Sequence, residues 1–209
     1  LENYPAFPGL IKGWDSLTTI KNSNADTVIE VSYTDVKTGQ PAIDHCLAAF
    51  ESGKNVVMTN KGPVALAYQE LSELAKKHGV AWGFEGTVMS GTPALRMPKT
   101  TLAGNEIYEI RGILNGTTNY ILTKMEEEGV NYESALKQAQ ELGYAEADPT
   151  SDVEGYDARY KIAILANYVM NVPLAVEEVR CKGIRDISLK EIEAAKAEGI
   201  RLVILVGDL

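Results

Sequence analysis

The sequence predicts an α/β protein organised on a parallel sheet, and three features carry that expectation. Short β-branched runs, ADTVIEVS at residues 25–32 and NVVM at residues 55–58, read as buried strands. Between them, Ala42, Ile43, Cys46, Leu47 and Phe50 fall at helical spacing. The connections are short, and strands alternating with helices in this way form parallel sheets with helical crossovers.

Residues 1–24 hold two prolines and two glycines, and predict a loop with a short helix over 13–21. A strand follows at 25–32, then a helix at 38–50 stopped by Gly53, and a second strand at 55–58. Residues 63–78 predict one helix, with Pro63 in its first turn and Gly79 at its end, leading into a third strand at 80–84. Residues 89–104 read as a turn and a helical stretch, and 105–114 (NEIYEIRGIL) alternate as a half-buried strand does. Thr117 or Thr118 is expected to cap a helix running to Glu128, with Gly129 after it, and a second helix spans 132–142. Ser151 and Glu154 have the spacing of a capping box, so one helix is expected from near Asp152 to about Met170. A strand at 179–184, a helix at 189–197 and a strand at 200–206 complete the prediction.

The 209 residues suffice for one large domain or two modest ones, and a division into a partial dinucleotide-binding domain at 1–86 and a catalytic domain at 87–209 is expected. Apolar residues at 45% and charged residues at 23% are ordinary for a globular protein. A net charge of −9 argues against nucleic acid or an anionic membrane as partner. No signal peptide or membrane-length apolar run is visible, so a cytoplasmic setting is expected. The first residue is Leu1, so the natural start is expected upstream. Cys46 and Cys181 sit in no metal-binding spacing, and Cys46 reads as a buried thiol. His45 and His78 have no third group at triad spacing.

Parallel α/β sheets bind ligands at the carboxyl ends of their strands. Those ends are Ser32-Tyr33-Thr34, Thr59-Asn60-Lys61 and Glu85-Gly86-Thr87. Lys61, between a strand and a helix, is read as functional in preference to an ordinary exposed lysine. No GxGxxG follows a strand, so the visible part is the second half of a doubly wound, Rossmann-type sheet, followed by an α+β segment. In that segment Asn115-Gly116-Thr117-Thr118-Asn119 reads as a ligand cradle. Beyond it come Glu146, Asp148, Asp152, Glu154 and Asp157, then Lys161. Asp157 and Lys161 are four residues apart and adjacent on a helix. On open surface such a pair contributes a few tenths of a kcal/mol. In a cleft, the carboxylate keeps the lysine charged and aimed, ready to donate a proton to a developing alkoxide. At about 100° per residue, Asp152 and Lys161 fall on opposite sides of an ideal helix. The carboxylates suit a ligand bearing an ammonium group. A divalent metal fits by residue type, but the spacing matches no metal motif.

The sequence resembles homoserine dehydrogenases in TNKGPVALAY (59–68), FEGTVMSGTP (84–93), RGILNGTTNYIL (111–122) and LGYAEADPTSDVEGYDARYKIAILAN (142–167). The last two are the most specific, and the likeness runs from about Ala25 to the end. The resemblance implies interconversion of aspartate 4-semialdehyde and homoserine with NADP or NAD, in amino-acid biosynthesis. It implies that Lys161 is the acid–base lysine and that Lys61 lies between nicotinamide and substrate. Asp157, Glu146 and Asp152 would bind substrate, with Gly116, Thr117 and Tyr144 lining its pocket. Ser32, in place of the family's threonine, together with Thr34, Asn60 and Lys61, would face the cofactor. The carbonyls of Glu85, Val88, Ser90 and Thr92 would hold a monovalent cation such as Na+. A small-molecule substrate and a homodimer are implied as well. The family's glycine-rich first turn and closing segment are not among these residues. A second reading is a truncated homologue that binds an amino-acid-like ligand without catalysis, and Lys61, Asp157 and Lys161 together favour the enzyme. A dehydrogenase acting through a cysteine thioester is disfavoured by where the cysteines fall.

Overall fold

The computed structural model describes residues 12–35 and 37–202. Strands β1 (Thr27–Glu30), β2 (Asn55–Met58) and β3 (Trp82–Gly83) form a parallel sheet in the order β1-β2-β3. The register pairs Thr27 with Asn55 and Val56 with Trp82. Helix α1 (Ser16–Asn22) packs on α2 (Ala42–Glu51), which covers β1 and β2. The strands are buried on one face: Glu30, Val56 and Met58 point inward, while Ile29 and Val57 are 72% and 51% exposed. The expectation of strands buried on both faces therefore fails among the described residues, because helices cover only one side.

The helix expected at 63–78 is two helices, α3 (Lys61–Leu66) and α4 (Tyr68–His78), broken at Ala67 with φ −137° and ψ 26°. Helix α3 starts ahead of the expected position because the Asn60 side chain accepts the Gly62 N–H at 3.0 Å. That cap makes Lys61 the first helical residue. A Cβ on Gly62 would lie 2.8 Å from the Gly39 Cα, so α3 and the loop before α2 meet backbone to backbone. Gly62→Ala is expected to lower stability by about 1–3 kcal/mol, the usual range for overpacking, as read by urea unfolding.

After α5 (Gly86–Met89) and α6 (Arg96–Thr101), residues 105–114 form no regular element and join no ladder among the described residues, which corrects the strand expected there. Their alternation reflects packing: Ile107, Ile110 and Leu114 lie on the larger core while Tyr108 is 80% exposed. Helix α7 (Gly116–Glu128) is capped by Asn115 rather than by Thr117 or Thr118 and packs on α8 (Tyr132–Glu141). The single helix expected from Asp152 to Met170 is α9 (Thr150–Val153) and α10 (Tyr156–Ile164), continued by a π-helical turn at Leu165–Met170. Gly155, at φ +83°, separates them. The capping box forms at Ser188 and Glu191, ahead of α11 (Leu189–Ala197), and not at Ser151 and Glu154. Residues 179–184 contain one bridge residue, Cys181, in place of a strand. Of the strand expected at 200–206, residues 200–202 join no ladder, and 203–206 lie outside the described residues.

Two apolar cores result. The smaller gathers Ile121, Met125, Ala135, Val153, Ile184 and Ile192. The larger joins Phe50, Met58, Val64 and Leu71 to Tyr160, Ala163, Ile164 and Val169, drawing on both sides of residue 86. This burial holds α10 against α3, which brings Lys161 to Lys61.

Candidate active site

Asp157 lies in the first turn of α10 and forms ion pairs with both lysines. Its Oδ2 is 2.6 Å from Lys161 Nζ, and its Oδ1 is 3.2 Å from Lys61 Nζ. Lys161 Nζ also donates to the Leu114 carbonyl at 2.6 Å. The side chains of Asp157 and Lys161 are each 13% exposed and that of Lys61 28%, so this cluster is largely shielded from solvent. Asn115 Nδ2 donates to Asp152 Oδ1 at 2.7 Å and to Asp157 Oδ2 at 3.0 Å. The ideal-helix geometry that put Asp152 opposite Lys161 does not apply, because the break at Gly155 separates them into two helices.

Burial pushes the Asp157 carboxyl up, but the Lys61 and Lys161 ammonium groups and hydrogen bonds from Lys161 and Asn115 hold it below the ordinary 3.8. A carboxyl depressed in the folded state adds stability above its unfolded value and loses it as pH falls through the folded one. The stability gap between the protein and its Asp157→Asn variant is thus expected to be widest above pH 3.8 and to narrow below it. Urea unfolding of both, from neutral pH down through about pH 3, checks this.

The other expected site residues fall in four places. Thr117 Oγ1 donates to the Tyr144 carbonyl at 2.8 Å. Gly116, Thr117 and Tyr144 line a cavity of about 580 Å³ with Asn119, Tyr120 and Lys124, and neither Lys61 nor Lys161 is in its wall. Glu146 is exposed, and its carboxylate bonds to nothing among the described residues. At the sheet's carboxyl edge, Asn60 Nδ2 donates to the carbonyls of Ser32 and Tyr33 at 3.2 and 3.1 Å, tying the loop after β1 to the loop after β2. Ser32 donates its N–H to Glu30 at 3.0 Å and its hydroxyl to the same oxygen, and Thr34 is half-buried beyond it.

Around Glu85, both carboxylate oxygens accept backbone N–H groups, from Leu95 and Arg96 at 2.8 Å each. Val88 is buried, Ser90 has φ +51°, and the Thr92 carbonyl accepts the Ala94 N–H at 2.7 Å. Among the described residues no group of three or more His, Cys, Asp or Glu could hold a metal ion. Burial pushes the Cys46 thiol up to about 12, and burial also raises that of Cys181, so neither offers a thiolate.

Asn115 stands in the turn read as a ligand cradle, but its bridge between Asp152 and Asp157 was not foreseen. The available signal was its place just before Gly116-Thr117-Thr118: an asparagine whose oxygen caps a helix has its two amide hydrogens free for other partners.

Comparisons to known proteins give the family. The homoserine dehydrogenase family matches residues 93–207, more than half of the chain. The chain belongs to the homoserine dehydrogenase family. It is 48% identical to a homoserine dehydrogenase of Methanocaldococcus jannaschii, over 100% of the chain and 61% of that relative. It is 50% identical to an NAD(+)-dependent homoserine dehydrogenase of Pseudomonas canavaninivorans, over 87% of the chain and 51% of that relative. A solved hyperthermophilic archaeal homoserine dehydrogenase in complex with NADPH superposes with a TM-score of 0.75 at 31% identity, over 86% of this chain and 54% of that one. The chain thus spans about half to three-fifths of these homoserine dehydrogenases. No described helix is long and apolar enough to cross a membrane.

Proposed function

We propose that the protein carrying this chain interconverts L-aspartate 4-semialdehyde and L-homoserine by hydride transfer with NADP or NAD. The observation that carries this reading is Asp157 holding Lys61 and Lys161 on its two oxygens. Pairing with a shared carboxylate aims both lysines at one place. Lys161 then gives its proton to the oxygen of the semialdehyde as that oxygen becomes an alkoxide. Lys61 stabilises the same developing charge. Asp152 Oδ2, which bonds to nothing among the described residues, is left to accept from the substrate ammonium, with Glu146 as a second carboxylate. A protein that only bound an amino acid would have no use for two clamped lysines.

The residues present fit the nicotinamide end of the cofactor. Strands β1 and β2 run parallel in register to Glu30 and Met58, so Ser32, Thr34, Asn60 and Lys61 leave the sheet along one edge. When bound, the dinucleotide supplies the hydride in reduction and takes it in oxidation. The related Pseudomonas enzyme is named for NAD and the archaeal structure holds NADPH, which supports this cofactor class. Residues 1–86 then serve the cofactor and 87–209 the substrate. A Na+ ion bound by the carbonyls of Glu85, Val88, Ser90 and Thr92, a homodimer and a cytoplasmic setting complete the proposal, carried over from the family resemblance.

Homoserine-dependent reduction of NADP or NAD by the natural full-length polypeptide tests this proposal. Turnover is expected, and its absence with both cofactors contradicts it. Glu146→Gln removes one charge-assisted hydrogen bond to the ammonium, worth about 1.5–3 kcal/mol. Its expected effect is a KM for the semialdehyde raised roughly tenfold or more, with kcat little changed. An unchanged KM removes Glu146 from the site.

A further inference from the structure

We infer that Asn115 is a positioning residue for this reaction: its amide holds Asp152 and Asp157 together and so fixes where Lys161 points. The inference rests on reading Lys161 as the proton donor.

Asn115 is buried, 4% exposed. Its Oδ1 accepts both the Thr118 N–H and the Thr118 hydroxyl at 2.9 Å, which fixes which end of the amide faces α7. The Nδ2 end must then face away from that helix. It carries two hydrogens, and two acceptors meet them, Asp152 Oδ1 and Asp157 Oδ2. These carboxylates stand on α9 and α10, on either side of the Gly155 break, and a single neutral donor spans them. The bridge from Asn115 is what ties the two carboxylates, and the two helices that carry them, to one point.

Lys161 is tied to the same residue by two routes. Asp157 Oδ2 accepts from both Asn115 Nδ2 and Lys161 Nζ. The carbonyl that also takes Lys161 belongs to Leu114, the residue before Asn115. A shift of Asn115 therefore moves both acceptors of the proposed proton donor. Asn115 acts through these neighbours and needs no contact with substrate.

Asn115→Asp separates this role from helix capping. Aspartate caps as well as asparagine and has nearly the same shape, but it offers an acceptor where the two carboxylates need a donor. Asn115→Ser, also a good cap, removes the bridge without adding charge. In the full-length enzyme, both variants are expected to lose at least tenfold in kcat/KM. In Asn115→Asp the acidic limb of the pH profile is also expected to move to higher pH, because a third carboxylate makes the cluster harder to ionise. The same displacement is read without turnover, in the pH at which stability to urea begins to fall.

The outcomes are distinguishable. An unmodified enzyme that fails to oxidise homoserine overturns the proposed function, and the stability profile then decides the role of Asn115 alone. An active enzyme whose folded Asn115→Asp and Asn115→Ser variants keep wild-type kcat/KM and pH profiles overturns the inference. If Asn115→Asp does not fold, wild-type kcat/KM in Asn115→Ser overturns it equally.

Discussion

Lys161→Met is expected to lower kcat of the intact enzyme by at least about a hundredfold, the usual scale for removing a general acid. Methionine keeps most of the length and apolar volume of the lysine stem and removes the ammonium. Two acceptors lose their donor, the Leu114 carbonyl and Asp157 Oδ2. Asp157 keeps Lys61 and Asn115 as partners, so the site retains its framework. KM for the semialdehyde is therefore expected to change much less than kcat. Steady-state rates in both directions check this, and turnover within a few-fold of wild type means that Lys161 is not the proton donor.

Asp157→Asn is expected to cost as much or more, because one carboxylate serves both lysines. Hydrogen bonds to charged groups contribute about 1.5–3 kcal/mol each, so losing the anion from two of them lowers kcat/KM by a hundredfold or more. An asparagine can accept from one lysine through Oδ1, and its Nδ2 then presents a donor to the other. Removing one partner from a fully buried pair costs about 3–5 kcal/mol. Here the Lys61 side chain is 28% exposed and relaxes into solvent, so a loss nearer 2–3 kcal/mol is expected. Unfolding measured beside turnover separates the effects: the variant remains folded at assay temperature and is nearly inactive. Wild-type kcat/KM with stability unchanged would mean that the two lysines need no common anion.

The sheet was legible because its strands are short and β-branched and its helices keep their apolar residues at the right spacing. Asp157 and Lys161 were legible as a pair because four residues span one helical turn. The break at Gly155 was hidden by an apolar pattern that continues through residues 158–169, since a single residue at positive φ leaves no periodic trace. The break at Ala67 has no sequence signal of its own, as alanine is the best helix former. Residues 105–114 misled because alternation reports which side chains are buried, and a strand needs a backbone partner as well. Asn115 was read as part of a small-residue turn, and only the fold shows that three helices meet at its amide. The contact between Lys61 and Asp157 lies 96 positions apart in sequence and depends on the packing of α10 against α3.

The central claim is that Asp157 gathers Lys61 and Lys161 into the place where homoserine reacts. A crystal structure of the intact protein with L-homoserine and an oxidised dinucleotide tests it most directly. The predicted result places the homoserine side-chain hydroxyl about 3 Å from Lys161 Nζ, or one water away, with Asp157 still bonded to both lysines. Homoserine bound elsewhere, with the Lys61–Asp157–Lys161 cluster closed and out of reach of its hydroxyl, would contradict it.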